Sequence, residues 1–141
     1  MRIPTVALVM MLFGFAPIVA WQAGHAKEPH QHADAAKLKN PVAADAASVE
    51  AGKKVYAAQC ADCHGEAGKG DGPMAAYTGD PAPSNLADAE WKHGSSDGEI
   101  YTVIHDGVEG TAMKDFAKDL KENEIWNVVN YVKTLSPKPA H

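Results

Sequence analysis

The sequence lacks any cluster of basic residues. It carries 13 Lys and Arg against 18 Asp and Glu, a formal net charge of −5. Arg2 is the only charged residue before Lys27, so residues 27–141 hold 12 lysines against 18 acidic residues, a net charge near −6. A protein that follows a phosphate backbone needs a basic stripe, so nucleic acids are excluded as partners. The acidic surface instead favours solubility and determines which charged partners are attracted or repelled.

Cysteine is almost absent. The only two, Cys60 and Cys63, lie in the pentapeptide CADCH, which ends in His64. A disulfide between residues three apart closes a very small loop and removes little entropy from the unfolded chain. Structural cross-linking is therefore a poor explanation for the pair, and the pentapeptide needs another function.

Long apolar runs are missing except near the start. Thr5–Ala20 (TVALVMMLFGFAPIVA) is apolar apart from Thr5 and follows the positive Arg2. This pattern is typical of a secretory signal peptide, and the run is slightly short of the roughly 20 apolar residues that cross a bilayer. We expect residues 1–26 to be an export signal that delivers the protein to the periplasm. The alternative is a retained N-terminal membrane anchor with the rest of the chain facing the periplasm.

Strand-like alternation is missing over any useful length, whereas helical periodicity is clear. A first helix is predicted over about 46–58, because four residues fall on one helical face at steps of 3, 4 and 4: Val49, Gly52, Tyr56 and Cys60. Ser96 and Glu99 form a capping-box signature for a second helix that ends at Gly107. Its inward residues are predicted to be Ile100, Val103 and Ile104.

A last helix is predicted over 122–135, before Ser136 and Pro137. Its apolar stripe consists of Ile125, Val128, Val129 and Val132. The predicted fold class is all-α, with three helices and room for a fourth short one, in a domain over residues 46–136. Residues 137–141 are predicted to be a tail. Residues 27–45 are polar and alanine-rich and are predicted to be a linker, in which His30 and His32 are interpreted as solvated rather than as a metal site.

Between the first two predicted helices lies a long irregular segment. Gly65–Ser95 holds six glycines and three prolines in about 30 residues. A loop of this length in a compact domain is uncommon unless it is functional or disordered. A large apolar object around which the loop wraps would explain it, and would add to the limited core of a small domain.

Three interpretations of CADCH compete. A thioredoxin-like dithiol is expected near a βαβ pattern, which is not visible. A zinc site needs four ligands, and a fourth would have to come from the distant His93 or His105. The third interpretation is covalent haem attachment, for which C-x-x-C-H is the recognised spacing. Two thiols then add to the porphyrin vinyl groups while the adjacent imidazole meets the iron, so haem attachment is favoured.

The sequence resembles class I cytochromes c over roughly Ala47–Leu135. Gly52 and Tyr56 match the small and aromatic residues of that family's first helix. The other matching segments, in chain order, are CADCHGEAGKGDGP (Cys60–Pro73), APSNLAD (Ala82–Asp88) with Trp91, GTAMKDF (Gly110–Phe116) and EIWNVVNYVKTL (Glu124–Leu135). The resemblance implies a cytochrome c fold wrapped around one covalently attached haem c.

The resemblance also implies residue roles. Cys60 and Cys63 would be the thioether anchors, His64 the proximal iron ligand and Met113 the distal one. Tyr131 would meet Gly52 and Tyr56 where the first and last helices cross.

Two departures from the family stand out. Lys114 occupies the position where a proline usually follows the methionine, so the φ restriction that proline imposes on the distal loop is lost. The last helix begins after Lys121 instead of a serine or aspartate.

Rivals to Met113 as distal ligand are Met74, His93 and His105. Met74 lies in the glycine-rich segment, His93 is expected to be an exposed loop residue, and His105 is expected to lie at a helix end.

The predicted function is one-electron transfer between periplasmic or membrane redox proteins, without an enzymatic activity. His/Met ligation raises the potential of the iron and leaves no open coordination position. The alternative is a haem enzyme or gas sensor with a labile distal ligand. A membrane is a partner only if the N-terminal segment is retained.

Overall fold

This computed structural model describes residues 34–137, which contain four α-helices and two single 3-10 turns joined by loops. The helices are α1 (Ala46–Gln59), α2 (Ala61–His64), α3 (Asp97–Asp106) and α4 (Glu122–Leu135), and the turns are Ala35–Lys37 and Ala75–Tyr77. Residues 34–137 contain no strand. The prediction of an all-α fold is confirmed.

α1 and α4 cross and make the most extensive contact between helices in residues 34–137. A β-carbon on Gly52 of α1 would collide with the carbonyl oxygen of Asn127 in α4 and would lie 3.0 Å from the Cβ of Tyr131. Glycine therefore sets how closely the two backbones approach. The rings of Tyr56 and Tyr131 pack beside it with centroids 5.2 Å apart. The expected meeting of Gly52, Tyr56 and Tyr131 is confirmed.

The core lies between α1, α3 and α4. All four residues of the predicted stripe on α4 are buried, and Ile125 and Val129 are completely so. Ile100 and Ile104 of α3 are buried against them. The stripe forms because residues three and four apart share one face of a helix.

The ends of α3 follow the predicted signals. The Ser96 side chain accepts the N–H of Glu99, and the Glu99 carboxylate accepts the N–H of Ser96, which completes the capping box. The helix stops at Gly107, whose φ of 74° is accessible to glycine at little cost. At α4 the Glu124 carboxylate accepts the N–H of Lys121 at 2.8 Å, so the first turn has a cap despite the missing serine or aspartate.

The final part of the predicted linker contacts the helices. Asn130 of α4 is buried, and its amide donates to the Ser48 hydroxyl at 3.0 Å. Its carbonyl oxygen accepts from the amide of Asn40 at 2.8 Å. A buried amide is costly unless it is hydrogen-bonded, so this network fixes residues 40–43 beside α4.

The predicted signal peptide, the histidines His25, His30 and His32, and residues 138–141 lie outside the described residues. Among the helices of residues 34–137, none combines the length and apolar character that crossing a membrane requires.

Candidate functional site

A cavity of about 330 Å³ lies between the helices and the long loop. This volume falls in the range of roughly 300–1,000 Å³ that is usual for ligand sites. Its walls are mainly apolar, and every region of the domain from α1 to α4 contributes. Representative wall residues are Leu86, Trp91, Ile104, Phe116, Val128 and Val132. Lining residues from the long Gly65–Ser95 segment all lie between Thr78 and Gly94, so its second part covers a cavity, as expected for a loop that wraps a large apolar object.

CADCH forms one edge of this cavity. α1 ends at Gln59, and Cys60 lies at the break before the short helix α2. The N–H of Cys63 donates to the Cys60 carbonyl at 3.2 Å, and the N–H of His64 donates to it at 2.9 Å. This single turn places both thiols and the imidazole against the same cavity. The two cysteines are not joined by a disulfide.

The environment of Cys60 disfavours its thiolate form. Burial, together with the neighbouring Cys63, raises the pKa of Cys60 to about 12. Thiol–disulfide exchange proceeds through the thiolate, so a thiol that stays protonated at neutral pH is a poor nucleophile. The absence of strands in residues 34–137 also removes the βαβ context of a thioredoxin-like dithiol.

A zinc site has no ligand set in the described residues. No group of three or more His, Cys, Asp and Glu side chains between residues 34 and 137 is arranged to hold a metal ion. His105 stacks on Tyr101 at a centroid distance of 5.4 Å and bonds to Asp106 at the end of α3, as expected for a helix-end residue.

The His64 ring is oriented by the long loop. Its Nδ1 lies 3.0 Å from the carbonyl oxygen of Ser84. A carbonyl oxygen only accepts hydrogen bonds, so Nδ1 carries the proton and Nε2 keeps its lone pair for a metal. Sequence reasoning did not identify Ser84, because the contact uses its backbone and no side-chain signal exists.

A side chain of α1 holds the turn that follows His64 by a hydrogen bond. The buried Tyr56 hydroxyl donates to the carbonyl of Gly65 at 2.7 Å. Burial and the nearby Cys60 raise the pKa of Tyr56, so the phenol stays protonated and keeps this bond. The helix that begins the domain thus holds the backbone next to the imidazole.

Met113 reaches the cavity from the loop after α3. The loop folds back on Gly107, where a β-carbon would lie 2.8 Å from the Met113 carbonyl oxygen. The N–H of Val108 donates to that oxygen at 2.9 Å. Met113 packs against the hydrophobic core and lines the same cavity as CADCH.

The rival ligands differ in position. Met74 is 47% exposed and is not among the residues that line the cavity. His93 is half-buried and does line the cavity, so the expectation that it is an exposed loop residue is wrong. The chain folds the turn that carries His93 over the cavity between Trp91 and Gly94, which also line it.

Lys114, which replaces the expected proline, makes contacts of its own. Its ammonium pairs with Asp119 at 2.7 Å and lies 4.7 Å from the centre of the Phe116 ring. Phe116 is buried, and its N–H bonds to the carbonyl of Ile104 at 3.1 Å. The segment that follows Met113 is therefore attached to the end of α3.

The residues present fit a covalently attached haem. An apolar cavity suits the porphyrin, two adjacent thiols suit its vinyl groups, and an imidazole nitrogen and a thioether sulfur are common axial donors to haem iron. All four side chains border one cavity although Cys60 and Met113 are far apart in sequence.

Comparison with known proteins gives the family. The family model described as cytochrome c matches residues 49–136, more than half of the chain. The cbb3-type cytochrome c oxidase subunit FixP of Azorhizobium caulinodans is 31% identical over 98 residues, which cover 70% of this chain and 31% of FixP. Subunit CcoP of Rhodobacter capsulatus is 37% identical over 98 residues, covering 65% of this chain and 31% of CcoP. The chain thus spans 31% of the length of these relatives.

Solved structures agree with this assignment. A chain of the reducing HAO-like protein complex of Kuenenia stuttgartiensis is 32% identical with a TM-score of 0.65, covering 71% of this chain and 50% of that one. Cytochrome cL of Methylophaga aminisulfidivorans, at 21% identity and a TM-score of 0.53, covers 69% of this chain and 59% of that one and shows the same fold. The chain therefore belongs to the cytochrome c family, and its cofactor is covalently attached haem c.

Proposed function

We propose that this protein carries one electron at a time between two redox proteins. In this proposal Cys60 and Cys63 hold the haem through thioether bonds, and His64 and Met113 are the axial ligands of its iron. The observation that carries the proposal is the convergence of these four side chains on one apolar cavity. The bound haem supplies an iron centre that accepts and releases one electron.

His64 is suited to the proximal role by its hydrogen bond. The Ser84 carbonyl fixes the protonated Nδ1, so the ring presents Nε2 as the ligand atom. Such a bond also raises the basicity of the ligand and holds the plane of the ring. A ligand that does not reorient keeps the iron environment similar in both oxidation states.

Met113 is suited to the distal role by its thioether. A Met/His ligand pair raises the haem potential and fills both axial positions, so substrate has no free coordination site. The walls of the cavity are mainly apolar. The charged residues that line the cavity are Glu90, Lys92 and Lys114, and all three are exposed. These features support a carrier without enzymatic activity.

Partners and location are further parts of the proposal. The relatives FixP and CcoP are named as subunits of cbb3-type cytochrome c oxidases, which supports an electron donor and an electron acceptor of protein nature for this chain. We propose that residues 1–26 direct export to the periplasm, with a retained membrane anchor as the alternative. Residues 27–45 would lead into the haem domain at 46–136, and residues 137–141 would form the tail.

Ligand binding to the purified, haem-loaded protein tests this function. A six-coordinate electron carrier is expected to titrate reversibly with one electron and to bind added cyanide or CO very slowly at neutral pH. Rapid binding of either ligand would contradict the carrier and favour a haem enzyme or gas sensor. N-terminal sequencing of the native protein tests the location: a start near Trp21 or Lys27 supports a cleaved signal, and an intact Met1 supports an anchor.

A further inference from the structure

The hydroxyl of Thr111 closes the turn that carries Met113. Its Oγ1 donates to the carbonyl of Val108 at 2.8 Å and accepts the backbone N–H of Met113 at 3.0 Å. A hydroxyl has one proton to donate and lone pairs with which to accept, so it fills both roles at once. The side chain is half-buried and lines the cavity.

The two ends of this loop are fixed in other ways. At its entrance the chain folds tightly onto Gly107, and Val108 donates to the Met113 carbonyl at 2.9 Å. At its exit the N–H of Phe116 is bonded to α3. Between these points, the N–H of Met113 itself is held by the Thr111 side chain. The hydroxyl therefore acts on the residue whose sulfur faces the haem site.

We infer that Thr111 is a positioning residue for Met113. Its hydroxyl holds the Met113 backbone in the conformation from which the sulfur binds iron, and so provides restraint that Lys114, unlike a proline, does not supply. The inference rests on the proposed function of Met113 as the distal ligand. Thr111 would act through the Met113 backbone, which its hydroxyl contacts, and not as a ligand itself.

Replacing the hydroxyl by a methyl group tests this role. Thr111→Val keeps the shape and β-branching of the side chain, but it leaves both the Val108 carbonyl and the Met113 N–H without this partner. Loss of one such bond corresponds to roughly a tenfold shift in an equilibrium. In the full-length, haem-loaded protein we therefore expect about tenfold faster CO binding, a weaker thioether-to-iron charge-transfer band and a lower midpoint potential. Thr111→Ser should restore all three.

Thr102→Val is the matched control. The Thr102 hydroxyl donates to the carbonyl of Gly98 at 2.8 Å within α3, is also half-buried and is not among the residues that line the cavity. The substitution removes a hydroxyl-to-carbonyl bond like the one that Thr111 makes to Val108, but it leaves the Met113 N–H bonded. Its CO binding, band and potential should therefore match those of the unmodified protein. If Thr102→Val changes these as much as Thr111→Val does, the effect is general destabilisation and the inference is wrong.

Met113→Ala separates this inference from the proposed function. If Met113→Ala abolishes the band while Thr111→Val leaves band, potential and CO binding unchanged, then Met113 is the ligand and the positioning role of Thr111 is wrong. If the band survives Met113→Ala, the proposed ligand is wrong and the inference falls with it. The inference is supported if the charge-transfer band is lost in Met113→Ala, weakened in Thr111→Val and recovered in Thr111→Ser.

Discussion

The two sides of the cavity are built in different ways. On one side His64 ends a short helix that continues directly from α1, and its ring is fixed by the Ser84 carbonyl. On the other side Met113 lies in a loop without helical structure, held by backbone bonds and one hydroxyl. Helical hydrogen bonds and thioether bonds would make the first side hard to displace. The second side depends on a few bonds, so it is the side at which ligand loss is expected.

The largest difference between the two sides should appear in haem retention. In the double variant Cys60→Ala/Cys63→Ala no thiol remains to form a thioether bond, so haem should be lost completely from the denatured chain. Haem staining after denaturing electrophoresis measures this. Met113→Ala should stay stained like the unmodified protein, and loss of stain there would show that attachment depends on the distal loop.

A substitution at Gly52 tests the side of the cavity that carries His64, which is built on α1. A β-carbon at Gly52 collides with the Asn127 carbonyl, so Gly52→Ala forces α1 and α4 apart. Overpacking of this kind costs about 1–3 kcal/mol of unfolding free energy. We expect a lower midpoint in denaturant unfolding but an unchanged charge-transfer band in the folded protein. An unchanged midpoint would mean that the helix crossing does not limit stability.

A substitution at Gly107 tests the side of the cavity that carries Met113. Gly107→Ala is unfavourable for two reasons. The φ of 74° is strained for alanine, and the β-carbon would lie only 2.7 Å from the backbone nitrogen of Asp115. A left-handed alanine costs about 1–2 kcal/mol, and the contact adds movement of the loop. CO binding to the ferrous protein should become faster, with the band weakened.

Gly79→Ala is the control for Gly107→Ala. Gly79 has a φ of 81°, but no atom lies within 4 Å of the position of its β-carbon. Gly79→Ala therefore introduces the same backbone strain as Gly107→Ala, but no steric contact and no change near Met113. If CO binds equally fast to both variants, strain anywhere in the chain is enough and the distal loop is not specifically responsible.

The parts of the structure that the sequence predicts are those with strong local signals. The stripe and bounds of α4 match the prediction over 122–135, and α1 extends one residue beyond its predicted end at 58. The sequence leaves room for a fourth short helix but does not predict its position at α2, since four residues are too few to show periodicity. Helical periodicity and capping signals involve residues within one or two turns of each other. The bounds of α1 and α4 are set by such local interactions, so the sequence predicts them.

The missed features depend on contacts between distant parts of the chain. Asn40 and Asn130 are 90 residues apart, and nothing local predicts that their amides meet. The same holds for the Ser84 carbonyl, which any residue could provide, and for His93, whose loop folds over the cavity. CADCH predicts haem attachment because its residue types and spacing are chemically specific, whereas the prediction for Met113 came from the resemblance to class I cytochromes c.

The smallest expected effect concerns partner charge. The chain from residue 27 onwards carries a net charge near −6, whereas the charged cavity-lining residues are one acidic and two basic, Glu90, Lys92 and Lys114. Attraction to a basic redox partner should therefore be modest and should weaken as salt shortens the screening length to about 8 Å. We expect electron-transfer rates with a basic protein to fall as salt is raised. Rates that rise or stay flat would contradict electrostatic steering by the acidic surface.

The most direct test of the difference between the two sides is the charge-transfer band of the ferric protein in Met113→Ala. We predict that haem stays attached, that the band disappears, that CO binds rapidly to the ferrous form and that the midpoint potential falls. Axial ligands move haem potentials over about 0.8 V, so the change should be easily measured. Met74→Ala, which alters an exposed methionine away from the cavity, should keep the band. A band that survives Met113→Ala, or that disappears with Met74→Ala, would contradict the role of Met113 as the displaceable distal ligand.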